Sequence, residues 1–185
     1  MTAIRSIATA ASTLCIALAC STAQAQSVSF DLDALTVAPG ETFSLNLMAS
    51  GFTEAVLGGG FGLSFDPAVL RLDSVVIPAS WEFAKSGGLI DNASGTLSDA
   101  YFATNSPLPG DVKLATLNFT ALNVGQSLVT PLANTLQPFV EDGALEVTLP
   151  AYKFATVTVA VPEPGALALM LAGCLAMTHL RSRRS

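Results

Sequence analysis

Carboxylates are the main chemistry-bearing side chains between Gln26 and Ala160. That segment holds no histidine and no cysteine, because His179, Cys15, Cys20 and Cys174 all lie outside it. A Ser-His-Asp triad, a Cys-His nucleophile and an ordinary zinc site are therefore excluded from it. A pair of carboxylates would still suffice for an enzyme acting on glycans, one as acid and the other as base or nucleophile. Asp91 and Asp99 flank a turn-forming stretch and could meet across a hairpin, and Asp66 is a further acidic candidate. Calcium could take oxygen ligands from Asp31 with Asp33, or from Asp91 with Asn92. Each of these acids also stands where a solvated turn or strand edge would put it, which is the simpler reading. Lys85 and Ser86 are adjacent and lack the Ser-x-x-Lys spacing of a serine nucleophile.

Binding chemistry is better represented than bond-breaking chemistry. Flat rings stack on sugar faces, so Trp81, Phe83 and Tyr101 are the candidates for ligand contact, with an exopolysaccharide as one ligand class. The competing role for all three is to fill the core or plug a sheet end. Gly58-Gly59-Gly60 lacks the lysine and following helix of a phosphate loop. A loop, a bulge or a close backbone approach is expected there instead. The segment carries four of the eight Lys and Arg (Arg71, Lys85, Lys113 and Lys153) but thirteen of the fourteen Asp and Glu, a net charge near −9. Such a surface repels nucleic acid and anionic lipid, and suits a secreted protein that must stay soluble.

The elements that must position these residues read as short strands. Ser27 to Leu32 alternates, with Val28, Phe30 and Leu32 on one face. Thr42 to Met48 does so most clearly, with Phe43, Leu45 and Leu47 together. Phe61, Leu63 and Phe65 share a face after the glycines, Asp66-Pro67-Ala68 turns the chain, and Val69 to Ile77 points Leu70 and Leu72 inward. Thr96 to Ala103 is expected to place Leu97, Tyr101 and Ala103 on one face. Pro107 and Pro109 make Asn105 to Gly110 a loop, and Val112 to Leu122 turns Ala115, Leu117 and Phe119 inward. Val124-Gly125-Gln126 reads as a turn, Leu128 to Leu132 and Phe139-Val140 as short strands, and Glu141-Asp142-Gly143 as a hairpin turn. Leu145 to Leu149 and Tyr152 to Val159 complete the set. No stretch of this segment has a helical period and none repeats. Eight to ten short strands with Gly/Pro turns predict one all-β domain, an antiparallel sandwich of two sheets spanning residues 26–160.

Both ends read as targeting segments. Met1 to Ala25 has a single charge, Arg5, then an apolar run and an A-x-A site at Ala23-Gln24-Ala25, the pattern of a secretory signal peptide cleaved before Gln26. Cys20 as a lipid anchor is disfavoured, since Ala17-Leu18-Ala19 places its leucine one position late. At the other end Pro162 and Pro164 keep the chain extended, and Gly165 to Leu180 follows without Asp, Glu, Lys or Arg. As a helix this run would reach about 24 Å, slightly short of a bilayer core. Arg181, Arg183 and Arg184 then form a basic stop that favours the cytoplasmic side. A transient membrane insertion is expected, with the domain outside.

Residues 161–185 closely resemble the PEP-CTERM sorting signal of Gram-negative bacteria, in the order Val161-Pro162-Glu163-Pro164, apolar helix, arginine cluster. The resemblance implies an exosortase-type processing enzyme, loss of the tail near the Pro-Glu-Pro motif, and export to the cell surface or extracellular matrix. Three further pieces resemble a cohesin domain: Val37 to Leu47, Gly60 to Leu72, and Lys113 to Ala121. That likeness implies a jelly-roll β-sandwich that binds a dockerin, a small calcium-loaded helical module on a partner protein, through one sheet face. The chain has no Asp-x-Asn/Asp-x-Asn/Asp-Gly loop of its own, so the dockerin would be on a partner. No dockerin-contact residue follows from these three pieces. A non-enzymatic binding or structural module is the leading expectation, with no cofactor required.

Overall fold

The computed structural model describes residues 25–143 and 149–161. Ala23, the apolar tail and the basic stop at Arg181 to Arg184 lie outside the described residues, as do Pro162, Glu163 and Pro164 and most of the strand expected from Leu145.

Thirteen strands and no helix make up the described chain: β1 (Ser27–Phe30), β2 (Ala34–Val37), β3 (Thr42–Ser50), β4 (Val56–Ser64), β5 (Leu70–Val76), β6 (Ala84–Ser86), β7 (Leu89–Asp91), β8 (Thr96–Leu108), β9 (Val112–Ala121), β10 (Gly125–Ala133), β11 (Val140–Glu141), β12 (Ala151–Tyr152) and β13 (Ala155–Val159). They form two sheets. The smaller runs β12-β1-β3-β9-β5, and the larger runs β2-β13-β10-β4-β8-β6, with β7 added on β8 and β11 on β4. The all-β sandwich expected from the alternation is thus present. Its pairing is not wholly antiparallel. β1 lies parallel to β12, and β2 parallel to β13. The chain near each end changes sheet after a few residues, so its first and last strands meet side by side in both sheets. Parallel neighbours need a long crossover, and here the whole domain supplies it, which no local pattern could reveal.

Strict alternation on β3 and β9 builds the core. Leu45 and Leu47 of β3 and Ala115, Leu117 and Phe119 of β9 are fully buried, and Phe43 stacks on Phe119 at 5.5 Å. Leu70 and Leu72 point inward as their spacing required. Leu32 does not: β1 ends at Phe30, and Leu32 is exposed in the passage to β2.

Two corrections concern the strand that carries two site candidates. β8 runs on through Pro107 to Leu108, so the loop expected over Asn105 to Gly110 is shorter. Its alternation also breaks at Asp99, whose φ is +57°. Phe61 pairs with Ala100 and Leu63 with Leu97, so Ser98 and Asp99 together face Gly62 as a bulge. The inward set is therefore Leu97, Ala100, Phe102 and Thr104, and Tyr101 and Ala103 turn to the opposite face. Gly88 seals the bulge from the side. Its φ is +79°, and a Cβ there would stand 2.3 Å from the Ser98 carbonyl oxygen. Gly125, expected in a turn, instead begins β10.

Candidate functional site

The outer face of the larger sheet is shaped by glycine. The triplet lies inside β4, and the close backbone approach expected of it is present. Directly paired residues share a face, and Gly58 pairs with Ala103, Gly60 with Tyr101, and Gly62 with Leu132. These three glycines point outward, while Phe61 and Leu63 point into the core. Gly59 faces inward, where the Phe139 ring lies 3.0 Å from the position its Cβ would take. A central strand without outward side chains leaves a channel along the middle of the face.

One segment crosses that channel. Between β10 and β11 the residues Asn134 to Pro138 form a strap, with Gln137 2.7 Å and the Asn134 amide nitrogen 3.1 Å from where a Gly60 Cβ would be. Asn134 braces the strap, its Oδ1 accepting from Leu136 N and its carbonyl from Gln137 N. Its Nδ2 is buried without a hydrogen-bond partner. Phe139 anchors the far end in the core, 5.5 Å from Phe52 and 5.6 Å from Phe102.

The strap divides the channel into two open depressions. One, of about 260 Å³, is lined by Gly62, Asp99, Leu132 and Leu136 among others. The second, of about 430 Å³, is lined by Gly58, Phe83, Ala103, Asn105, Pro138 and Val140 among others. Large apolar side chains stand exposed at their rims: Phe83 at 66 %, Leu132 at 44 %, Leu136 at 78 % and Val140 at 40 %. Asp99 is the only ionisable side chain among the residues lining either depression.

The outer face of the smaller sheet is of another kind. Asp31 accepts from the side chain of Asn46, whose Oδ1 accepts from Thr116. Ser44 donates to Asn118, which donates to Ser74. Thr120 donates to Asp73, which also takes Arg71 at 2.7 Å. Burial alone would raise the Asp73 pKa, but the hydrogen bonds from Thr120 and Arg71 and the guanidinium charge outweigh it and hold the group low. Neighbouring side chains on this face thus satisfy one another.

The candidate carboxylate pair, Asp91 and Asp99, does not meet across the hairpin, in keeping with the simpler reading of both as solvated acids. β7 and β8 do pair, but Asp91 lies opposite Thr96, three residues from Asp99. At ~3.3 Å per residue that is roughly 10 Å along the strand. Asp91 is also committed locally: its carboxylate accepts from the Ser94 hydroxyl and from Ala93 and Ser94 backbone N–H, which hold its pKa low. Asn92 spans the backbone of Leu72, donating to its carbonyl and accepting from its N–H. Asp31 is held by Asn46, Asp33 is exposed, and Asp66 caps its own turn at Ala68 N. Among the described residues no group of three or more His, Cys, Asp or Glu is placed to hold a metal.

The three aromatic candidates separate. Trp81 is fully buried, its ring 4.5 Å from Phe102 and its N–H donating to the Lys113 carbonyl, so it fills the core, the competing role given to it above. Tyr101 is half-buried beside Gly60, and Phe83 is exposed at the second depression. The strap residues and Leu132 escaped the sequence reading. The period-two recurrence of Gly58, Gly60 and Gly62 inside an apolar strand was the signal for them.

Comparison with known proteins agrees with this architecture. Residues 28–159 match the cohesin domain family. Solved structures of similar fold include the seventh type I cohesin of ScaB from Pseudobacteroides cellulosolvens, at 15 % identity and TM-score 0.59, covering 76 % of this chain and 95 % of that one. The OlpA cohesin from Clostridium thermocellum, solved as a complex with the dockerin Doc918, gives TM-score 0.59 at 7 % identity, over 74 % of this chain and 100 % of that one. A type III cohesin of the cell-surface anchoring scaffoldin ScaE from Ruminococcus flavefaciens gives 0.55 at 14 % identity, over 73 % and 87 %. No curated protein sequence matches. With the family match spanning most of its length, the chain belongs to the cohesin domain family, whose members are non-enzymatic protein-binding modules.

Proposed function

We propose that this domain is an exported binding module that docks a dockerin-like protein module on the outer face of its larger sheet. One observation carries the choice of face. The larger sheet exposes apolar side chains around a glycine-floored channel, whereas the smaller sheet's polar groups are engaged with one another. Association gains most from apolar surface removed from water, and little from groups already hydrogen-bonded.

We further propose that the tail from Val161 delivers the domain to the cell surface or matrix through an exosortase-type enzyme. The sequence Val161-Pro162-Glu163-Pro164 with its apolar run and arginines supports this. The described sandwich closes at Ala160, whose N–H donates to the Val37 carbonyl, and Val161 beyond it is exposed. A protein ending at Ala160 is expected to be soluble and folded, and its aggregation would place the tail in the core. Replacing Pro162 and Pro164 by Ala in the host is expected to leave the tail uncleaved in envelope fractions. Normal processing of that variant would remove the exosortase reading.

The test of the binding reading is capture by immobilised residues 26–160 from the host's secreted matrix, in calcium and then in chelator. A retained protein that carries the Asp-x-Asn/Asp-x-Asn/Asp-Gly loop, is released by chelation and is lost with Phe83→Ala fits the proposal. Retained polysaccharide indifferent to chelation would replace the protein partner with an exopolysaccharide.

A further inference from the structure

We infer that the Asn92 side chain is a stopper on the free edge of the smaller sheet, closing a latent surface that fits a second copy of this chain. The edge belongs to β5, so the inference is independent of the reading given for the outer face of the larger sheet.

An edge strand offers its outward N–H and C=O groups to any further strand, and a short edge is its own protection. β12, β2, β6 and β7 are two to four residues long. β5 has seven residues, and among the described strands its only neighbour is β9. It is therefore the edge that most needs a cover.

In an antiparallel pair, residues alternately turn their backbone groups toward the partner strand and away from it. Leu72 turns both of its groups away from β9. Its N–H donates to Asn92 Oδ1 at 2.9 Å, and its carbonyl accepts from Asn92 Nδ2 at 3.0 Å. A neighbouring strand residue would make the same two bonds, and the side-chain amide makes them in its place. The ladder shifts between Leu72 and Ser74, and farther along the Val75 carbonyl lies under Gly87, where a Cβ would stand 2.9 Å from its oxygen. The segment from β6 to the turn at 91–95 thus folds from the larger sheet over the edge of the smaller one. That turn is held without Asn92. Asp91 accepts from Ala93 N, Ser94 N and the Ser94 hydroxyl, and Phe65 N donates to the Gly95 carbonyl. Loss of the amide therefore opens the edge and leaves the turn in place.

Self-complementarity selects the occupant. A strand edge that meets its own copy antiparallel does so about a two-fold axis. With the axis at Leu72, the two Leu72 residues exchange the N–H and C=O bonds that Asn92 now takes. Arg71 of one copy then comes opposite Asp73 of the other, and opposite charges facing across a strand pair attract. Both side chains are accessible, at 52 % and 32 %, and they already pair within one chain at 2.7 Å. Asn92 wins over a second copy because a tethered group acts as if at roughly millimolar concentration.

The experiment uses residues 26–160, because the solved cohesins are matched over 95 % and 100 % of their own length and are complete modules of this size. Sedimentation equilibrium compares the parent with Asn92→Ala over a range of concentrations. The parent is expected to stay monomeric, and the variant to rise reversibly toward twice the monomer mass. Hydrogen exchange at the Leu72 amide gives the local readout. In dilute Asn92→Ala it is expected to be about fivefold faster or more than in the parent, for loss of one hydrogen bond. In concentrated Asn92→Ala it is expected to slow again, as the second copy takes the place of Asn92. Adding Arg71→Glu to Asn92→Ala sets like charges across the pairing and is expected to restore the monomer. If Asn92→Ala does not fold, Asn92→Ser is the milder variant with the same expectations, since its shorter side chain cannot bridge both Leu72 groups. A variant that stays monomeric at every concentration overturns the inference, whatever its exchange rate. A parent that already dimerises, growth beyond the dimer, or a dimer indifferent to Arg71→Glu overturns it as well, because each assigns association to another surface.

Discussion

The two outer faces of this sandwich are built from the same alternation and end up with opposite character. On the smaller sheet, outward positions carry Ser44, Asn46, Ser74, Thr116 and Asn118, which bond to one another across strands, and Thr120, which donates to Asp73. On the larger sheet, the equivalent row on the central strand is Gly58, Gly60 and Gly62, flanked by exposed leucines and Phe83. Polar composition alone would have pointed to the first face as the sticky one. Geometry reverses that, because a hydrogen-bonding group already satisfied gains little from a partner. Apolar surface still in water has most left to gain.

Trp81 tests whether an aromatic candidate belongs to either face. As a buried core residue, Trp81→Ala is expected to cost about 3–5 kcal/mol by thermal or denaturant unfolding. A surface ligand contact would cost almost nothing, so a small effect would return Trp81 to a face. Gly60→Val probes the strap directly. The new side chain meets Gln137 and the Ala100 carbonyl oxygen at under 3 Å. A loss of about 1–3 kcal/mol is expected, with faster hydrogen exchange in Asn134 to Pro138. Unchanged exchange there would mean the strap does not rest on the glycine.

Asn118→Ala removes the middle of one polar ladder. It is expected to cost about 1 kcal/mol and to leave partner capture unchanged. Lost capture would shift the binding face to the smaller sheet. Acid should weaken the fold modestly through Asp73, Asp91 and Glu82, all held below their ordinary pKa by hydrogen bonds in the folded state. A depressed folded pKa means stabilisation that is present above the unfolded value near ~4. It is lost as pH falls through the folded values. Unfolding midpoints measured from neutral pH downward should therefore be flat above about pH 5 and decline below about pH 4. A decline beginning near neutrality would require a different group. Smallest in stability are Phe83→Ala and Leu132→Ala, expected within about 0.5 kcal/mol of the parent because both side chains are exposed. The same two changes should give the largest losses of capture.

The strands with uninterrupted alternation were legible in advance. Leu45, Leu47, Leu117 and Phe119 are where a period of two puts them, and the three cohesin-like pieces fall on β3, β4 with β5, and β9. The candidate face was harder to read. Tyr101 sits on it because Asp99 adopts a left-handed φ and inserts an extra residue, which reverses the parity of everything after it. Phe83 and Trp81 are two positions apart in an irregular stretch, and only packing sends one to solvent and the other onto Phe102.

By itself the sequence determined the all-β class, the Gly/Pro turns, the absence of His and Cys chemistry from residues 26–160, and the markers of the family. These follow from local preferences and from composition, which need no knowledge of distant neighbours. Only the tertiary structure decided which glycines faced out, how the strap split the channel, which acids were already engaged, and that the two ends run parallel in both sheets. Those outcomes depend on pairing between residues far apart in the chain. A side chain's availability is set by what those distant partners leave unsatisfied.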